Sequence, residues 1–205
     1  MPSTLFDVIV FDFDGTLVSS AAAKRQAFFE VFPAHCAPAV DAVLARDPDG
    51  SRHKVIPEMI TEAARLRLEV TGLEARDLVA AYTARSASAV AAAQAMPGAT
   101  AVLERAAAQT ATYIASTTPH DELRDLLARR GWHRLVRGAF GFPHRKADVV
   151  AMLLARHRIA APRLLVVGDA SGDREAAQLN GCAFHHIEGP HSLLRVPGLG
   201  DEAHV

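Results

Sequence analysis

The sequence predicts an α/β fold: a doubly wound parallel sheet with an inserted helical segment. Three observations carry this expectation. A short apolar strand near the N-terminus runs straight into "DFDGT" at residues 12–16. The next seventy-odd residues, from about 20 to 90, are Ala-rich, helical in period and without a convincing strand. From residue 96 onward, strands and helices alternate, the pattern of a parallel sheet covered on both faces.

"DVIVFDF" is short and rich in β-branched and aromatic residues, as a buried strand is. "SAAAKRQAFFEVF" follows as a helix with Ala23, Ala27, Phe28 and Val31 on one face. "APAVDAVLARD", "SRHKVIPEMITEAARLRLEV" and "EARDLVAAYTARSASAVAAAQ" are three more helical segments. Pro33, "DPDGS" at 47–51 and Thr71-Gly72 supply the breaks. After "MPG" at 96–98, helix "ATAVLERAAAQ" precedes strand "ATYIAST", and helix "PHDELRDLLARRG" precedes a short strand near "VRGAFGF". Helix "KADVVAMLLARHR" then precedes strand "RLLVVGD", and helix "DREAAQLNG" precedes strand "CAFHHIE". The final "VPGLGDEAHV" has the composition of a polar, Gly-containing tail.

The 205 residues are half apolar, enough for one sizeable core with a small satellite domain. With 22 basic and 23 acidic side chains the net charge is −1, which gives no electrostatic footprint for nucleic acid or an anionic membrane. Cys36 and Cys182 lie far apart without CxxC spacing, which favours a reduced, cytoplasmic setting. The N-terminus lacks a basic region and its apolar run is broken by Asp7, Asp12 and Asp14, unlike a signal peptide. No stretch approaches the roughly 20 apolar residues of a membrane helix. A monomer or homodimer without nucleic-acid or membrane partners is expected.

Parallel sheets bind ligands beyond the carboxyl ends of their strands. Asp12, Asp14, Gly15 and Thr16 follow the first strand there, and Ser116, Thr117 and Thr118 end the second. Lys146 opens a helix, and Asp169 and Asp173 follow "LLVVG". Four carboxylates at close range require a counter-ion, and Mg²⁺ suits carboxylates, a carbonyl and waters. With Lys146 and Ser116 beside it, such a site matches an incoming phosphate. A carboxylate can attack phosphorus to form an aspartyl phosphate, and a second acid two residues along can protonate the departing alkoxide and then activate water. Arg145 competes with Lys146, and Thr117 with Ser116, for the phosphate role. His120 and His144 flank the site, but lone histidines are usually structural, and no HxH or HExxH spacing points to zinc. Lys24, Arg25, Arg52 and Lys54 could reach a substrate, although a solvated helix face explains each one singly.

The set resembles the haloacid dehalogenase-like hydrolase superfamily, in the branch of phosphoglycolate phosphatase and β-phosphoglucomutase. "DFDGTL" matches its first motif, the hydroxyl in "YIASTT" the second, Lys146 the third and "VVGDASGD" the fourth. The resemblance implies a Rossmann-like core over residues 1–19 and 91–205 and a helical cap over 20–90. It implies a phosphoric monoester hydrolase acting on a small phosphorylated metabolite. Asp12 would be the nucleophile and Asp14 the acid/base. The Asp12 side chain, the Asp14 backbone carbonyl, Asp169 and Asp173 would hold Mg²⁺. Gly15, Thr16, Ser116, Thr117 and Lys146 would bind substrate. Ser19 and Ala147 depart from the family pattern, which often has Asp and Pro there. A sugar phosphomutase would use the same intermediate. A phosphoaspartate signalling domain and a catalytically idle binding protein are the alternatives of another class.

Overall fold

The computed structural model describes residues 5–48, 50–189 and 191–199. Its contacts divide the chain into two compact units, Ser20–Ala93 and the remainder on either side of it.

The larger unit is built on five parallel strands: β1 (Val8–Phe11), β2 (Ala111–Pro119), β3 (Gly138–Phe142), β4 (Leu164–Gly168) and β5 (Ala183–His186). They lie in the order β3-β2-β1-β4-β5. All four residues of β1 are buried, as expected of a central parallel strand covered on both faces. Val8 pairs with both Ala111 and Leu164, and Phe11 with both Ile114 and Val167. The helices are α5 (Ala99–Gln109), α6 (His120–Arg129), α7 (Lys146–His157) and α8 (Ser171–Asn180). Val8, Val10, Tyr113 and Val166 pack with Val149, Val150 and Leu153 of α7 and Ala176 and Ala177 of α8. α5 and α6 contact β2, and α6 also contacts β3. The chain builds outward from β1 through β2 to β3, then returns to β1's other side with β4. That reversal places the switch point, where such sheets open a crevice, between β1 and β4.

The smaller unit contains α1 (Ala21–Val31), α2 (Ala37–Arg46), α3 (Arg52–Arg65) and α4 (Ala75–Ala92). Val40, Val43, Ile56 and Met59 are fully buried in its core. Phe28 stacks on Tyr82 with ring centroids 4.0 Å apart. Ala27 and Phe28 are buried on the expected face of α1, with Ala23 and Val31 half-buried.

Three expectations need correction. The helical segment expected to continue to Val70 stops at Arg65. Arg67 takes a left-handed conformation (φ 57°), and the Leu68 N–H donates back to the Ala63 carbonyl. The reversal brings Leu68 and Val70 against the unit's apolar core, which offsets the cost of a non-glycine left-handed residue. The strand ending "AST" extends to Pro119, with a register shift against β3 after Ala115. The C-terminal stretch is not simply a polar tail: Leu193, Val196 and Leu199 are buried, and 200–205 lie outside the described residues. Apolar side chains spaced three apart, behind a short 3-10 turn at Ser192–Arg195, put one side of this stretch into contact with α5. Among the described residues no single helix is long and apolar enough to cross a membrane.

Candidate active site

The last residues of β1 are apolar and paired on both sides, so the strand must deliver Asp12 at the switch point. The Asp12 N–H donates to the Val167 carbonyl of β4 at 2.8 Å, which ties the residue to the neighbouring strand. The chain then turns tightly. The Gly15 N–H donates to the Val18 carbonyl, and the N–H groups of Leu17 and Val18 both reach the Phe13 carbonyl. Gly15 has φ +81°, and a Cβ there would lie 2.1 Å from Asp169 Oδ2. Glycine is thus required twice, for the backbone conformation and for the approach of Asp169.

β4 ends at Gly168, and α8 begins two residues beyond Asp169. A Cβ on Gly168 would meet Asp173 Cγ at 2.2 Å, so this glycine also makes room for a carboxylate. Asp173 lies in the first turn of α8. Its Oδ2 accepts the Ala170 N–H at 3.3 Å, a capping contact, while its Oδ1 accepts from Lys146. The capping and acid-cluster roles therefore coexist in one side chain. Lys146 is the first residue of α7, and its Nζ lies 2.7 Å from Asp173 Oδ1 and 3.0 Å from Asp12 Oδ1. Its side chain is only 12% exposed. Arg145 is exposed and outside this set.

Asp12, Asp169 and Asp173 each offer an oxygen within 4.8 Å of the others. Burial, and then the charge of Asp12, push Asp169 up to about 6 and Asp173 up to about 7. The Thr16 hydroxyl and Lys146 respectively oppose those shifts. Burial also raises Asp12, with Lys146 lowering it and Asp14 adding repulsion. Lys146 is desolvated too, but Asp12 and Asp173 outweigh that burial and hold it firmly protonated. One lysine against three converging carboxylates leaves a negative surplus. The donor set, all hard oxygen, fits a small divalent cation, which would remove the repulsion that raises the acids.

Asp14 sits across the turn from Asp12 and is half-buried. Its Oδ2 accepts from the Thr118 hydroxyl at 2.6 Å and from the Ser116 hydroxyl at 3.3 Å. The Thr118 N–H donates to Ser116 Oγ at 3.1 Å. Thr117 is exposed and makes no side-chain hydrogen bond with the described residues. Thr118 has no role expected from the sequence motifs. The signal was present: along a strand, 116 and 118 point to one side and 117 to the other. Thr16 is fully buried, and its hydroxyl donates to Asp169 Oδ1 at 2.8 Å. It faces the acid cluster, whereas the sequence suggested a substrate contact.

The remaining candidates have partners elsewhere. His120 and His144 both bond Gly141: the Gly141 N–H reaches His120 Nδ1 at 3.4 Å, and His144 Nδ1 contacts the Gly141 carbonyl at 2.8 Å. In the helical unit, Arg25 pairs with Asp41, Lys54 with Asp47, and Arg52 with Thr83 and the Tyr82 ring. A cavity of about 690 Å³ lies between α6 and β3, lined by Arg124, Arg137 and Gly138 among others. It contains none of the carboxylates described above.

A doubly wound α/β unit with an acid cluster and a buried lysine at its switch point is the class of protein that fold and site define. A family model described as haloacid dehalogenase-like hydrolase matches residues 6–181, and the chain belongs to that family. No match was found among curated proteins. Solved structures with the same fold include a predicted phosphoglycolate phosphatase from Haemophilus somnus. It is 20% identical, with 90% of this chain and 86% of that one covered and a TM-score of 0.65. CbbY from Rhodobacter sphaeroides, in complex with phosphate, is 20% identical over 90% and 87% of the two chains, TM-score 0.64. The hydrolase YfnB from Bacillus subtilis, bound to magnesium, is 16% identical over 89% and 86%, TM-score 0.63.

Proposed function

We propose that this hydrolase is a Mg²⁺-dependent phosphatase that cleaves a small phosphorylated metabolite through an aspartyl phosphate on Asp12. The observation that carries the reading is the buried Asp12 carboxylate, placed between Lys146 and the acids Asp169 and Asp173. The side chains of Asp12, Asp169 and Asp173, with the Asp14 backbone carbonyl, would hold the cation. When bound, Mg²⁺ supplies charge neutralisation for the phosphate oxygens. The magnesium and phosphate held by two proteins of the same fold support this reading.

The chemistry then falls to the chain's own groups. Lys146 and Ser116 bind the phosphate oxygens. An Asp12 oxygen attacks phosphorus, the bond from phosphorus to the ester oxygen breaks, and Asp14 gives its proton to the leaving alkoxide. In the second half, Asp14 takes a proton from water, the water oxygen attacks phosphorus, and the bond to Asp12 breaks. Phosphate leaves, and both carboxyl groups return to their starting states. Ser20–Ala93 is the cap in this reading, and the substrate is chosen there.

A panel of phosphate monoesters assayed with Mg²⁺, with Ca²⁺ and with EDTA tests the proposal. Turnover should require Mg²⁺, be removed by EDTA and be inhibited by Ca²⁺, which takes more ligands at longer distances and misaligns the attack. Absence of phosphate release across the panel, or equal rates with Ca²⁺, would sink it.

A further inference from the structure

Resting on that reading, we infer that Thr118 is a positioning residue for the acid/base: its hydroxyl holds Asp14 in place while Ser116 serves the phosphate. Two hydroxyls converge on one oxygen of Asp14, but they are not equivalent. Thr118 is 1% exposed, and its 2.6 Å bond to Asp14 Oδ2 lies at the short end of the range for a hydroxyl donor. The Ser116 bond to the same atom is 3.3 Å, long for a hydroxyl donor.

A hydroxyl has one proton to give. Ser116 Oγ already accepts the Thr118 N–H, which fixes where that oxygen lies. Its weakly committed proton is therefore the one that can turn to an incoming phosphate oxygen. When it does, Asp14 keeps the Thr118 bond and does not swing. The strand produces this division of labour. Residues 116 and 118 share one side of β2, so one strand end supplies a phosphate donor and an acid/base anchor. The valine isostere of threonine would keep the shape and lose the anchor.

Leaving-group dependence separates this role from a structural one. For p-nitrophenyl phosphate the leaving group needs little protonation; for β-glycerophosphate it needs a proton from a well-placed Asp14. In Thr118→Val, kcat/KM for β-glycerophosphate should fall about 10- to 100-fold, the equivalent of one hydrogen bond to a charged group. For p-nitrophenyl phosphate, kcat/KM should change little, and a burst of p-nitrophenol should appear because water activation in the second step is slowed. Thr118→Ser should restore the alkyl ester. Ser116→Ala should lower both esters alike, since the phosphate is common to them. Thr118→Ala repeats the test if the valine variant does not fold. Equal losses on both esters, or an unchanged alkyl rate, would overturn the inference. Asp14→Asn is the reference: if it shows the leaving-group dependence and Thr118→Val does not, only the role of Thr118 fails. If Asp14→Asn shows none, the acid/base assignment itself is wrong.

Discussion

Acids and bases gather at both ends of β1 and β4, and the two ends are built on opposite principles. At the amino end, Arg163 grips Asp7 with Nε at 2.9 Å from Oδ2 and Nη2 at 2.6 Å from Oδ1. That is one cation for one anion, with the two side chains 37% and 40% exposed. The Arg163 hydrogen bonds hold the Asp7 carboxyl below its usual range. At the carboxyl end, a single buried lysine faces Asp12, Asp169 and Asp173, and burial pushes all three acids up. The first end is balanced in charge. The second carries more acids than bases, a balance that the proposed cation would restore. A structural ion pair and a functional acid cluster are thus told apart by their charge balance and by the direction in which the acids shift.

Breaking the carboxyl end at its centre has the largest expected effect. Asp12→Asn keeps the shape, removes the proposed nucleophile and weakens the acid cluster. Turnover should fall on the order of 10⁴-fold or more with the fold retained. Residual activity above a few per cent, with deamidation excluded by mass spectrometry, would contradict the assignment.

Gly15→Ala disturbs the same end without touching a charge. The new methyl group meets Asp169 in a backbone conformation that L-residues avoid. Mg²⁺ affinity, followed by calorimetry, should weaken about 10- to 100-fold, as for other changes that shift a metal ligand. Unchanged affinity would show that Asp169 does not take part.

The two ends should also respond to pH with opposite signs. Without a cation, burial pushes Asp169 up to about 6 and Asp173 up to about 7, above the 3.8 of an unfolded chain. The folded state therefore binds more protons in between. The contribution of this end is full below about pH 4 and is lost as pH rises through 6 and 7. Asp7 behaves in reverse: its pair contributes above the unfolded value of 3.8 and is lost as pH falls through the lowered one. The melting temperature in EDTA should accordingly be lower at pH 8 than at pH 5.5. Mg²⁺ at about 100 times its dissociation constant should add about 2.7 kcal/mol at pH 8. A metal-free melting temperature that rises over this range would mean that the acid cluster is not a store of repulsion.

The smallest effect belongs to the amino end. Arg163→Ala removes a solvent-screened pair and should lower the melting temperature only slightly, with no change in Mg²⁺ affinity. A loss of metal binding in this variant would erase the distinction between the two ends.

Much of this was legible in the sequence because the relevant signals are local. "DVIVFDFDGT" combines a buried strand, two acids in alternate positions and an obligatory glycine within ten residues. The alternation of elements after residue 96 gives the parallel sheet. Signals that depend on tertiary packing were harder to read. Leu68 and Val70 continue a helical composition, yet the apolar core of their unit draws the chain back. "VPGLG" reads as a tail until Val196 and Leu199 are seen to be buried. The bond from Thr16 to the acid cluster was out of reach of local signals, because its partner, Asp169, is 153 residues away in sequence. Thr118 was within reach of strand alternation alone, but its partner Asp14 is 104 residues distant, and only the fold brings them together.

The most direct test of the central claim is chemical trapping of the phosphoenzyme. The enzyme is mixed with p-nitrophenyl phosphate and Mg²⁺, quenched in acid, reduced with borohydride and mapped by peptide mass spectrometry. An aspartyl phosphate is reduced to homoserine, so the account predicts homoserine at position 12, dependent on both substrate and Mg²⁺. Homoserine at position 14, or unmodified aspartate at position 12 during active turnover, would contradict it.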